Sequence, residues 1–236
     1  ARDSEYTVYQ LNLAGAKLAR ECAGDDVLVF GDIGPTGWED QLPPYGTQPE
    51  QVFYDAFKEQ AIALTEGGVD AIIIETMSSL AEAVIAVRAV KENSSLPIIS
   101  SMTFARPPSS RPDDIRTSWG DSVSDIIKAV TDEGAVVVGA NCGDLIEEMV
   151  LLAEIMRDLT DLPLIFAVNA GRPRIDDDYK TIYCLCRCKY CWWVLWDNSR
   201  SYFSNKKTFN KVKIRRYLNG KGNQESFCPR KAMPIW

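Results

Sequence analysis

The chain has 236 residues, 46% of them hydrophobic, and a formal net charge of −7. That is enough apolar material for one sizeable core, and no run of apolar residues is long enough to span a membrane. There is no histidine, which excludes imidazole base catalysis and His-ligated metals and leaves Cys, Asp, Glu or Asn to hold any ion. The charge is split. Residues 179–236 carry 13 Lys+Arg and two acids, whereas the remainder is strongly acidic. Five of seven cysteines and four of six tryptophans also follow residue 179. A boundary is therefore expected there, with residues 1–178 as one domain and residues 179–236 as an atypical Cys/Trp-rich basic tail. The first ten residues do not read as a signal peptide, and the lack of an initial Met suits a fragment or a processed chain.

Taken in order, the acidic part alternates helical and strand periods. Val8, Leu11, Gly15, Leu18 and Cys22 form an apolar stripe at helical spacing, so Cys22 is expected in the core. A near-continuous apolar run follows over 27–34 and ends in the Gly/Pro loop that holds Asp32. Phe53, Phe57, Ala61 and Leu64 mark a second helix, closed by Gly67-Gly68. The strand over 70–76 ends on Glu75 and Thr76. Ser79-x-x-Glu82 reads as a capping box for a helix bearing Leu80, Val84 and Val87. A strand over 97–104 is followed by the stripe Val123, Ile126, Ile127 and Val130, which Gly134 ends. The strand over 135–142 ends in Asn141-Cys142. Asp144-x-x-Glu147 then opens a helix with Leu145, Met149, Leu152, Met156 and Leu159. A last strand over 163–170 ends at Asn169. Strands that are apolar throughout, separated by helices, imply a parallel α/β sheet buried on both faces. A barrel or an open doubly wound sheet would satisfy the pattern. No glycine-rich phosphate loop is present.

The chemistry-bearing residues gather at the C-terminal ends of these strands: Asp32, Glu75, Thr76, Asn141, Cys142 and Asn169. In a βα barrel that rim builds the active site. Each residue has a plainer reading. Cys142 could be a small buried apolar group, Glu75 a solvated strand end, Asp32 a turn former and Asn169 a loop cap. As functional groups, Cys142 would serve as a metal-binding thiolate and Glu75 would hold a substrate ammonium.

The segments "GDIGPTG", "EGGVDAIIIET", "LPIISSMTF", "VGANCG" and "NAGRP" occur in this order at barrel spacing. Together they resemble the homocysteine-binding domain of the homocysteine S-methyltransferase family, nearest its cobalamin-dependent methionine synthase branch, over about residues 5–175. The resemblance implies an incomplete TIM (βα)8-type barrel and methyl transfer to the thiolate of homocysteine to give methionine. It implies zinc held by three cysteines, with Cys142 as the first ligand. It further implies that Glu75 contacts the substrate amino group, that Asn169 lies near the metal, and that Asp32 and Thr76 line the pocket. The methyl donor would be methylcobalamin or methyltetrahydrofolate, bound outside this segment on a donor domain or corrinoid protein. The expected setting is cytoplasmic, with no membrane partner.

Two features depart from the family pattern. Two opening strands and a C-terminal Cys-Cys zinc turn are absent from the sequence, so a fragment of impaired activity is expected. The tail reads as foreign sequence, from a shifted frame or a misjoined end. Read literally, Cys184, Cys186, Cys188 and Cys191 could form a metal knot, or one of them could replace a missing zinc ligand. Other functions stay open at this point. One is a different βα-barrel enzyme of the lyase or aldolase type using Glu75 and Asp32. Another is a non-catalytic protein whose basic tail binds nucleic acid, although nucleic acid is not the expected partner.

Overall fold

A computed structural model describes residues 5–25, 27–107, 114–143 and 146–169, together with three short strands. The element order is α1 (Val8–Ala23), β1 (Phe30–Ile33), a 3-10 turn (Glu39–Gln41), α2 (Glu50–Glu66), β2 (Ala71–Met77), α3 (Leu80–Asn93), β3 (Ile98–Met102), α4 (Val123–Glu133), β4 (Val137–Gly143), α5 (Ile146–Leu159) and β5 (Leu164–Val168), then the short strands β6 (Pro173–Ile175), β7 (Ile182–Cys184) and β8 (Val194–Trp196). All five helices and five strands expected from the periodicity are present.

Strands β1 to β5 lie side by side in chain order, every neighbouring pair parallel. A doubly wound sheet would reverse its strand order at some point. None of these five strands does, and the result is an alternating α/β fold that matches an incomplete TIM-type barrel. β8 adds antiparallel to β5, and β6 pairs with β7. The rest of the basic tail, and with it the proposed cysteine knot, lies outside the described residues.

The uniform apolarity of the strands has a direct cause. In β2, Ile72 and Ile74 face the large core beneath the helices, whereas Ala71 and Ile73 join Ile99, Val137 and Ile165 in a second cluster on the opposite face. Side chains alternate across a strand, so a sheet covered on both faces needs apolar residues at every position. In α2, Phe53, Phe57, Ala61 and Leu64 are buried, and in α4 so are Val123, Ile126, Ile127 and Val130. α3 is buried over much of its surface, at residues that include Ala83, Ile85, Ala86 and Val90, whereas of the expected stripe Val87 is buried and Leu80 and Val84 are half-buried. It is wedged between α2, α4 and the sheet.

Two local expectations are corrected. Cys22 is exposed, and so are Leu11 and Leu18. α1 turns its other face inward, centred on Ala16. The reason is steric and polar. Ala16 sits against Gly67, and Arg20 is tied to the Gly68 and Val27 carbonyls and paired with Asp70. Tyr9 meets Glu59 through its backbone and Glu66 through its hydroxyl. The second correction concerns Glu82. Ser79 caps the backbone of α3 as expected, but the Glu82 carboxylate does not return to the cap. It is fully buried, and Oε1 accepts from the Thr36 amide at 2.9 Å and the Thr36 hydroxyl at 2.5 Å. A buried carboxylate takes the strongest donors within reach, here those of the loop after β1. The Asp144-x-x-Glu147 cap lies outside the described residues.

Candidate functional site

The C-terminal ends of β2, β3 and β4 converge on one buried amide. Asn141 is 1% exposed, and its Oδ1 accepts from the Thr76 amide at 3.0 Å and from the Ser101 hydroxyl at 2.8 Å. Its Nδ2 donates towards Thr76 Oγ1 at 2.6 Å, Glu75 Oε1 at 3.1 Å and Cys142 Sγ at 3.3 Å. Two donors at one end and three acceptors at the other leave a single sensible orientation for the amide. One side chain therefore ties a carboxylate, a hydroxyl and a thiol together.

The backbone delivers these groups by an irregularity that the sequence does not announce. Pairing shifts register between Ile74 and Met77 in β2, and between Asn141 and Gly143 in β4. Within those two interruptions Thr76 has φ +62° and Cys142 has φ +60°. Left-handed backbone at a residue other than glycine costs on the order of 1 kcal/mol or more, and it persists where surrounding contacts over-determine it. For Thr76 the contact is explicit, because its N–H and its hydroxyl both bond Asn141. Interruptions of this kind re-aim side chains. Here they bring Thr76 Oγ1 to 3.7 Å from Cys142 Sγ at the exposed rim.

Electrostatics single out the acids. Burial raises the Glu75 carboxyl from 4.5 to about 7, with the neighbouring Asp32 charge adding to the shift. Asp32, at the end of β1, is itself raised by desolvation although part of it reaches solvent. Desolvation disfavours the charged form, and a like charge reinforces it. An arriving cation would relieve both effects, so the pair suits an ammonium group.

The residues expected at the rim divide as follows. Glu75, Thr76 and Cys142 meet around Asn141. Asp32 acts on Glu75 through its charge. Asn169 is exposed and donates its amide to the Cys142 carbonyl oxygen at 3.3 Å, bracing the β4 turn. Sequence reasoning passed over Ser101. The available signal was the polar pair Ser100-Ser101 inside an otherwise apolar strand. It also missed that Glu82 anchors the loop following Asp32.

A zinc ion held by thiolates needs several donors converging on one point. Among the described residues no group of three or more His, Cys, Asp or Glu side chains could hold a metal. Cys142 contributes one sulfur, and Cys22 lies far along the chain on the outer face of α1. The described residues therefore do not fit a three-cysteine zinc site.

Comparison with known proteins bears on the same strand ends. Solved structures of the homocysteine methyltransferase MmuM from Escherichia coli share the fold. The apo form superposes with a TM-score of 0.54 at 18% identity, over 71% of this chain and 64% of the other. The metallated form gives 0.56 at 20% identity, over 69% and 59%. The oxidised form gives 0.54 at 19%, over 70% and 58%. The chain thus spans roughly three-fifths of the length of these structures. In sequence, residues 1–187 match the homocysteine S-methyltransferase family. That match takes in every strand end described above, and the chain belongs to the homocysteine S-methyltransferase family.

Proposed function

We propose that the rim formed by β1, β2, β4 and β5 binds homocysteine and presents its sulfur for methylation. The observation that carries this reading is the Asn141 cluster, which puts a hard-to-ionise carboxylate beside a rim thiol. Glu75, with Asp32 behind it, would take the substrate ammonium. Thr76 and Asn169 would line the approach to Cys142. In the overall reaction a sulfur–carbon bond forms as the methyl leaves its donor, and the thiol proton is lost. The donor would come from outside these residues, methylcobalamin or methyltetrahydrofolate on a separate domain or corrinoid protein. Because Cys142 is the one sulfur that the described residues bring to this rim, the chain by itself is expected to bind better than it turns over.

A lyase or aldolase reading has less support, since no described strand ends on lysine for Schiff-base chemistry. No described helix is long and apolar enough to cross a membrane. Calorimetric titration with homocysteine tests the proposal. Affinity should rise with pH as Glu75 ionises near 7. Glu75→Gln should weaken binding by about tenfold or more, the cost of removing a charged hydrogen-bond partner. Equal affinity of the parent and Glu75→Gln across that pH range would remove Glu75 from the role.

A further inference from the structure

We infer that Ser101, acting through Asn141, is a positioning residue that holds the sulfur of Cys142 and the carboxylate of Glu75 in a fixed mutual geometry. The inference deepens the proposed function, because those are the two groups to which that reading gives roles. It stands on geometry alone. Ser101 is fully buried on β3, and its hydroxyl lies 2.8 Å from Asn141 Oδ1. Asn141 reaches both Glu75 and Cys142 through Nδ2. A primary amide that rotates by half a turn exchanges donor for acceptor, which would set an oxygen against the carboxylate and the sulfur. The strained Thr76 backbone N–H on Oδ1 forbids that rotation, and the Ser101 hydroxyl adds a second hydrogen bond that fixes the position of the same oxygen. Among the described residues the Ser101 hydroxyl bonds Asn141 and is not hydrogen-bonded to Glu75 or Cys142, so its hydrogen-bonded route to them passes through the amide.

The same strand contains its own control. Ser100, the neighbouring residue, is also buried, at 1% exposure, but its hydroxyl has no hydrogen-bond partner among the described residues. Successive residues face opposite sides of a strand. Ser100→Ala and Ser101→Ala therefore delete the same atom at the same depth on the same element, and one of the two hydroxyls is coupled to the rim.

The test is alkylation of the native full chain by iodoacetamide, followed peptide by peptide in a mass spectrometer. Cys22, exposed on α1, serves as the internal reference for Cys142. Limiting rates of the two sulfurs are compared in the same sample at one fixed pH, so the ratio reads access and orientation. Ser101→Ala should raise the Cys142-to-Cys22 rate ratio roughly threefold, as the Nδ2 donor loosens its hold on the sulfur. Ser100→Ala should leave the ratio unchanged, and Ser101→Thr, which keeps the hydroxyl, should return it to the parent value. An unchanged ratio in Ser101→Ala, or an equal change in Ser100→Ala, would overturn the inference. A measurement on the parent chain needs no variant. The Asn141 side-chain N–H protons should exchange with solvent at least about tenfold more slowly than those of exposed Gln48. Similar rates would also overturn it. Neither measurement uses homocysteine, so a failure here is separable from a failure to bind substrate.

Discussion

Gly139 shows how little freedom a single residue has beside this site. It stands two positions before Asn141 and pairs with Ile165 across the β4–β5 ladder. A Cβ at Gly139 would lie 1.8 Å from the Ile165 carbonyl oxygen, a backbone atom that cannot swing aside. Gly139→Ala should therefore destabilise the fold by about 3 kcal/mol in urea unfolding, at the upper end for overpacking. A loss well under 1 kcal/mol, on the scale of ordinary surface changes, would mean that the strands separate here more easily than described. The sequence exposed this position only as one glycine in "VGANCG". It showed the rim residues Asp32, Glu75, Thr76, Cys142 and Asn169 far better, because polar residues ending apolar runs stand out. It could not show that Asn141 binds three of their functional groups, since that depends on two left-handed residues and on Ser101 from another strand.

At the scale of elements, α1 is the instructive case. Its sequence has an apolar stripe, yet the helix is held by the adjoining face through Ala16, Tyr9 and Arg20. A Cβ on Gly67 would come within 2.3 Å of the Ala16 Cβ, although the Gly67 backbone is ordinary helical and would otherwise accept alanine. Gly67→Ala should thus cost about 2 kcal/mol by steric crowding. Leu18→Glu, on the stripe that periodicity favours, should change stability by no more than about 0.5 kcal/mol because Leu18 is 59% exposed. Thermal melts of both variants decide which face is packed; the reverse order of effects would restore the stripe to the core. Helical spacing identified α1 correctly. With small residues on one face and larger apolar ones on the next, spacing could not say which face the neighbour would accept. α2 and α4 posed no such ambiguity: every residue of both expected stripes is buried, with Ala63 of α2 buried in addition.

For the molecule as a whole, the acids at the rim couple stability to pH. Glu75 keeps its proton to about 7 in the folded chain but loses it near 4.5 when unfolded. Across that interval the folded state binds more protons, so stability falls as pH rises and levels off above the upper value. Asp32, also raised, acts in the same direction. Glu75→Gln keeps an acceptor for Asn141 and removes the ionisation. Its stability relative to the parent should therefore climb through the interval and then stay constant. Urea midpoints measured at several pH values in that range give the comparison, and parallel curves for the two proteins would refute it.

The sequence alone determined the alternation of helices and strands, the two-sided burial of the sheet, the gathering of polar residues at the C-terminal strand ends, and the family resemblance. These follow from local periodicity and from residue types that any strand end would carry. Only the tertiary structure decided the unbroken strand order, the inward face of α1, the turning of Glu82 towards Thr36, and the convergence on Asn141. Each of these depends on which distant backbone supplies a contact, and one-dimensional spacing holds no record of that.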